Sequence, residues 1–131
     1  MIGLDTNVLV RYLREDDEAQ AARTAALIDS AVERGEALFV SQVVVCEVVW
    51  VLTAGYRLPK AEVVRTVRSL LSAAQIVFED ADELRRALAR HEAGKGDFAD
   101  YLIGGRAVAR GCEKIATFDK ALLGEPEFFS P

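Results

Sequence analysis

Apolar residues recur along this chain with two interleaved periods. Short apolar runs at MIGL, ALFVS, QIVFE and KIAT read as strands, and they alternate with longer stretches whose apolar positions repeat at helical spacing. DTNVLVRYLR sets Val8, Leu9 and Tyr12 on one side of a helix that Asp5 or Thr6 can cap. DDEAQAARTAALIDSAVERG opens on acids, carries Ala22, Ala26, Leu27 and Ala31 at helical spacing, and stops at Gly35. KAEVVRTVRSLLSAA places Val63, Val64, Val67, Leu70, Leu71 and Ala74 in the same way. Asp80 and Glu83 form a D-x-x-E start to ADELRRALARHEAG, which Gly94 ends. QVVVCEVVWVL is open between two states: its valines favour a strand, while its length and the preceding Ser41 permit a capped helix. A last helix begins in DFADYLIGGRAVARG, and PEFF reads as an extended piece after the turn FDKALLG.

No Pro/Gly/Ser linker and no internal repeat interrupts this rhythm, which predicts a single domain over residues 1–131. The expected class is α/β, a three-layer α/β/α sandwich with a central, mostly parallel sheet and helices on both faces. A length of 131 residues fits one domain of about 100–200 residues with a substantial core.

Composition narrows the function classes. With 51% hydrophobic and 28% charged residues the chain reads as globular, and no apolar run approaches the roughly 20 residues that cross a bilayer. The start MIGLDTNVLVRYLRED meets a charge at its fifth residue and lacks a secretory layout, so a cytoplasmic location is expected. Cys46 and Cys112 form no CxxC pair, and the single His91 leaves no zinc set; both cysteines read as reduced structural thiols. A net charge of −5 and a pI near 4.9 argue against a surface that grips nucleic acid all over. An acidic protein acting on a polyanion would need bound cations at the point of contact.

Four carboxylates stand out. Asp5 follows the first strand and Asp119 follows KIAT, so both lie at the carboxyl ends of strands, the edge where open α/β sheets bind ligands. Each has an alternative as a cap or turn residue. Glu47 is the lone charge in VVVCEVVWVL; buried, it would require an arginine partner, a proton or a metal. In DFAD, Asp97 and Asp100 could be a capping pair or could offer both carboxylates to a metal. On a helical wheel the apolar side comprises Phe98, Leu102, Ile103 and Ala109, with Asp100 at its edge beside Gly104 and Ala107 and Asp97 nearer solvent. Three aspartates and a glutamate make a hard-oxygen set suited to Mg²⁺ or Mn²⁺ and to metal-assisted phosphoryl chemistry.

LDTNVLVRYL, the lone glutamate of VVVCEVVWVL, DFADYLIGGRAVARG and IATFD occur in this order over nearly the whole chain. In that ordered set the chain resembles the PIN domain family, and within it the VapC-like ribonuclease toxins of toxin–antitoxin pairs. The resemblance implies a parallel sheet in the order 3-2-1-4-5, a helix for the valine-rich run, and an acidic pocket at the sheet's carboxyl edge. It also implies an acidic quartet of Asp5, Glu47, Asp100 and Asp119 as catalytic residues and metal ligands, with Thr6, Asn7 and Thr117 as polar neighbours. The family's spacing to its last aspartate selects Asp100, leaving Asp97 as a cap or supporting residue. Gly104-Gly105 departs from the alanines that the family favours, at about 1 kcal/mol of helix propensity per glycine.

These expectations describe an endoribonuclease dependent on Mg²⁺ (or Mn²⁺), acting as the toxin of a type II pair. Arg11, Arg14, Lys95, Arg106 and Arg110 are candidates for contacting RNA, against an alternative as solvated or ion-paired surface. The implied partners are RNA, a cognate antitoxin and a second copy of the chain, with Val63, Val64, Val67 and Trp50 weighed as interface against core packing. A different class of function, a PIN-fold regulatory module with little or no catalysis, is set against this by the intact quartet. A receiver domain is disfavoured because no lysine follows a fifth strand.

Overall fold

The computed structural model describes residues 1–131. In chain order the elements are β1 (Ile2–Gly3), α1 (Thr6–Leu13), α2 (Glu18–Glu33), β2 (Leu38–Val40), α3 (Gln42–Trp50), α4 (Lys60–Leu71), β3 (Ile76–Phe78), α5 (Ala81–Ala93), α6 (Phe98–Ala109), β4 (Ile115–Ala116) and β5 (Phe128–Phe129). They belong to two compact units, Met1–Ala81 and Asp82–Pro131.

In the first unit β2 lies between β1 and β3, and both pairings are parallel, with Leu38 opposite Ile2 on one side and Ile76 on the other. Leu38 and Val40 of β2 and Ile76 and Phe78 of β3 are buried, one face of each strand, with the side chain between them turned away. Leu9 and Val10 of α1 are buried as well, as are Val63, Val64, Val67, Leu70 and Leu71 of α4. Each such side chain gains about 1.5–3 kcal/mol on leaving water. The α4 valines are therefore core, whereas Trp50 is 68% exposed.

The valine-rich run is helical. Its first turn is capped twice, by Ser41 Oγ accepting from the Val44 N–H at 3.3 Å and by Glu79 Oε1 accepting from the Gln42 N–H at 2.9 Å. Val45, Val48 and Val49 then bury one side. That burial exceeds the few tenths of a kcal/mol that each β-branched residue loses in a helix. Beyond α3 the chain widens into a π-helical turn over Val51–Gly55, closed by the Tyr56 N–H on the Val51 carbonyl at 3.0 Å.

In the second unit β4 and β5 are parallel, with Ile115 opposite Phe128. Leu84, Ala87, Leu88, Phe98, Tyr101, Leu102, Leu122 and Phe128 form its core. The expected apolar side of the last helix needs correction: Ile103 is 58% exposed and Ala109 is exposed, and Tyr101 is buried instead. The reason is polar. The Tyr101 hydroxyl donates to Glu125 Oε1 at 3.2 Å and accepts from the Gly96 N–H at 3.1 Å, so the ring enters the core with its oxygen satisfied. Arg90 lies over that ring, 4.8 Å from its centre, and pairs with Glu125 and Glu127.

Gly104 is buried where α6 meets Phe128, and a Cβ there would lie 2.9 Å from the Phe128 ring. Gly105 has room for one, with Glu83 Cγ 3.9 Å away. Of the glycine pair, one residue is required by packing and the other is not. Asp80 directly precedes α5, where a D-x-x-E start puts its first residue, and it does so with φ 46°, a left-handed conformation that aspartate tolerates better than most residues.

Candidate active-site carboxylates

In the first unit, the ladder continues to Leu4, whose N–H donates to the Phe39 carbonyl at 2.8 Å, and the next residue is Asp5. Asp5 holds the N-cap position of α1 in extended geometry, and its carbonyl accepts from the Leu9 N–H at 3.2 Å. Its side chain makes no capping bond and is exposed. The capping explanation of Asp5 thus covers its backbone and leaves its carboxylate unspent.

Glu47 is not the buried charge that its sequence context suggests. It faces solvent on the same side of α3 as Val43 and Trp50, opposite the buried Val45, Val48 and Val49. No arginine meets it; the hydroxyl of Thr6, itself buried at the start of α1, donates to Glu47 Oε2. One oxygen of Glu47 is held in place and the other is left over. Next to it, burial pushes the Cys46 thiol above its usual range and the Glu47 charge adds to that, which keeps the sulfur protonated and unreactive. Cys112 is exposed. Asn7 is exposed in the first turn of α1 and lines a cleft with Arg11, Gln20 and Arg23.

In the second unit, the Thr117 N–H continues the β4–β5 ladder onto the Phe129 carbonyl at 2.9 Å, and Asp119 follows at the strand's carboxyl end. Asp119 Oδ1 accepts from the Ala121 N–H at 2.9 Å, capping a single 3₁₀ turn over Lys120–Leu122, while the Asp119 N–H donates to Thr117 Oγ1 at 3.0 Å. Asp97 is the N-cap of α6, and its N–H donates to Asp100 Oδ2 at 3.0 Å, the Asp100 arm of a capping box. The DFAD pair therefore does start the helix, and Asp100 spends one oxygen on it. Partial burial pushes the Asp100 carboxyl above the ordinary aspartate value, and the negative charges of Asp97 and Asp119 push the same way. Three aspartates of this unit thus share one electrostatic neighbourhood, relieved in part by the Asp97 N–H and by His91, whose Nδ1 lies 2.9 Å from the Gly96 carbonyl oxygen.

Neither unit by itself gathers three or more Asp, Glu, His or Cys side chains into a ready-made metal cluster. Among the basic candidates, Arg11 is engaged by Asp16, Gln20 and Tyr56. Arg14 pairs with Glu62 at 3.7 Å and lies over the Tyr56 ring. Arg106 faces Glu83 at 4.0 Å, whereas Lys95 and Arg110 are exposed. The bond from Thr6 to Glu47, and the buried Tyr101 with its partners Arg90 and Glu125, were not foreseen from the sequence. The signal for Tyr101 was present in its polar tip at a helix position next to an apolar face.

The PIN domain model matches residues 2–124, and the chain belongs to the PIN domain family. It is 26% identical over 117 residues to a VapC ribonuclease from Aquifex aeolicus (strain VF5), an alignment that covers 89% of this chain and 86% of that protein. No helix is long and apolar enough to cross a membrane.

Proposed function

We propose that this protein is a metal-dependent endoribonuclease and the toxin of a type II toxin–antitoxin pair. The observation that carries this reading is the similarity to VapC ribonuclease over 89% of the chain. The chemistry of the donors supports it: Asp5, Glu47, Asp100 and Asp119 offer only hard oxygens, with no histidine or cysteine among them, and that set fits Mg²⁺ or Mn²⁺. Divalent metal held by carboxylates of this set would neutralise phosphate charge and lower the pKa of an attacking water.

The chain's own contribution is orientation. The Thr6 hydroxyl fixes Glu47, the Asp97 N–H fixes one oxygen of Asp100, and the Ala121 N–H fixes one oxygen of Asp119. Each contact leaves the second oxygen of its carboxylate for the ion or the water. Asp5, unspent by capping, would be a chief ligand together with Glu47 and Asp100, and Asp119 would complete the set. Water attacks phosphorus in line, the bond to the 3′ oxygen breaks, and the products are a 5′-phosphate and a 3′-hydroxyl. Asp97 is a supporting residue, and Asn7 and Thr117 are polar neighbours. Lys95 and Arg110 supply countercharge for the RNA backbone, with a smaller share from Arg11, Arg14 and Arg106, which have acidic partners. A cognate antitoxin, a homodimer and a cytoplasmic location belong to the same proposal.

The test is cleavage of RNA by purified protein in Mg²⁺. Cleavage should stop in excess EDTA, return with Mg²⁺ or Mn²⁺, and be lost in Asp5→Asn. Undiminished cleavage in EDTA would overturn the metal dependence. No cleavage of any RNA, with no uptake of either ion by calorimetry, would favour the regulatory module instead.

A further inference from the structure

Phe118 lies between Thr117 and Asp119 and is 84% exposed, the most exposed large apolar side chain of the protein. A phenyl ring left in water forgoes the burial that usually drives it inward. Nor does the ring sit on a slack segment. Before it, the Thr117 N–H is bonded to the Phe129 carbonyl at 2.9 Å; after it, the Asp119 N–H is bonded to Thr117 Oγ1 at 3.0 Å and Asp119 Oδ1 caps Ala121. The backbone on both sides is held, so the ring projects from a fixed base. The same turn carries a carboxylate assigned to the reaction and, at Lys120, an exposed ammonium in no ion pair of the structure.

We propose that Phe118 is a stacking platform for the unpaired nucleobase next to the scissile phosphate of single-stranded RNA. This rests on the ribonuclease reading above and adds a substrate-positioning residue to it. Single-stranded RNA is held by aromatic faces on which splayed-out bases stack, and such stacking accepts every base because each has a π-face. A protein interface asks for a contiguous apolar core, whereas Phe118 is bracketed in sequence by Thr117, Asp119 and Lys120. One aromatic face beside one carboxylate and one cation suits a nucleotide: base on the ring, phosphate toward Lys120 and the reacting oxygens.

The experiment compares Phe118→Ala, Phe118→Leu, Phe118→Tyr and wild type on a single-stranded RNA oligonucleotide, by single-turnover cleavage and by binding in an Asp5→Asn background. Alanine and leucine should each weaken binding and kcat/KM about 10- to 100-fold, the size expected for a lost stacking aromatic, while tyrosine should restore both. An oligonucleotide abasic at the position flanking the cleaved bond should lower wild type to the level of Phe118→Ala and leave Phe118→Ala unchanged. Full activity in Phe118→Ala, or rescue by leucine, overturns the proposal, as does a Phe118→Ala defect confined to capture of a partner protein. A second readout separates this idea from the ribonuclease reading. In Phe118→Trp/Trp50→Phe, quenching of the new tryptophan by the RNA oligonucleotide supports stacking even if no cleavage is seen. Absence of quenching in a protein that cleaves RNA overturns stacking alone.

Discussion

Asp5 and Asp119 hold equivalent places, each just beyond the carboxyl end of a parallel strand and each heading a helical turn, yet only Asp119 caps that turn with its side chain. The two units use their carboxylates differently. In the first, the backbone of α1 is served by the Asp5 carbonyl, so the Asp5 carboxylate is not needed for the cap, while Glu47 gives one oxygen to the buried Thr6 hydroxyl. In the second, Asp100 and Asp119 each lend one oxygen to a backbone N–H. A carboxylate that also accepts such a bond is better oriented and is replaced without cost only by a side chain that still accepts it; the unspent Asp5 is expendable for stability and leaves both oxygens for chemistry.

The sharpest break of this contrast is Asp5→Asn. Removing a proposed ligand with no structural duty should lower cleavage by more than about 100-fold while stability stays within about 0.5 kcal/mol of wild type, as surface substitutions do. Thermal melts beside single-turnover assays check both halves, and a large drop in melting temperature would contradict the idea that Asp5 is structurally idle.

Asp100→Asn should match that loss of activity with a different stability signature. The folded-state carboxyl of Asp100 titrates above its ordinary value, 3.8, because burial and two neighbouring aspartates disfavour its charged form. Its ionisation therefore opposes folding in full above the raised value, and this penalty fades as pH falls toward 3.8. Asparagine carries no such penalty and can still accept from the Asp97 N–H. The variant should melt at or above wild type near pH 7, and the difference should shrink on going to pH 4. A gap that grows toward acid would reverse the sign and reject the cause.

Asp97→Asn should be milder. Asparagine caps helices as well as aspartate, and activity should fall less than about 10-fold. Losing one negative neighbour should also bring the Asp100 carboxyl back toward its ordinary range, which carbon-detected NMR titration of the side chains would register.

The smallest effect is expected at the glycine pair. Gly105→Ala should stabilise by up to about 1 kcal/mol through helix propensity alone. Gly104→Ala must displace the buried Phe128 ring and should end level with or below wild type, since overpacking costs about 1–3 kcal/mol. Urea unfolding of both variants separates them.

Much of the scaffold was legible in sequence because burial and period agree there: α4 and the strands ALFVS and QIVFE show their core residues directly. The valine-rich run was ambiguous because propensity and capping pointed opposite ways, and the second cap, Glu79, comes from 37 residues further along the chain. Glu47 was misread as buried because nine apolar neighbours in sequence do not say which side of a helix they occupy. The wheel of α6 misassigned Ile103 and Ala109 because it ranks residues by hydropathy, whereas Tyr101 entered the core through hydrogen bonds. Phe118 gave no periodic signal at all: a lone aromatic in a turn is visible only once its exposure is known.

The contact of Gly104 with Phe128 also constrains how this sequence can diverge. A PIN protein that carries alanine at the position of Gly104 must retreat at the position of Phe128, through a smaller side chain or a shifted C-terminal strand, because both methyl group and ring cannot occupy the same 2.9 Å. The two positions are expected to vary as a pair across descendants of this chain, and a graft of its last strand onto an alanine-bearing relative would need the glycine to travel with it.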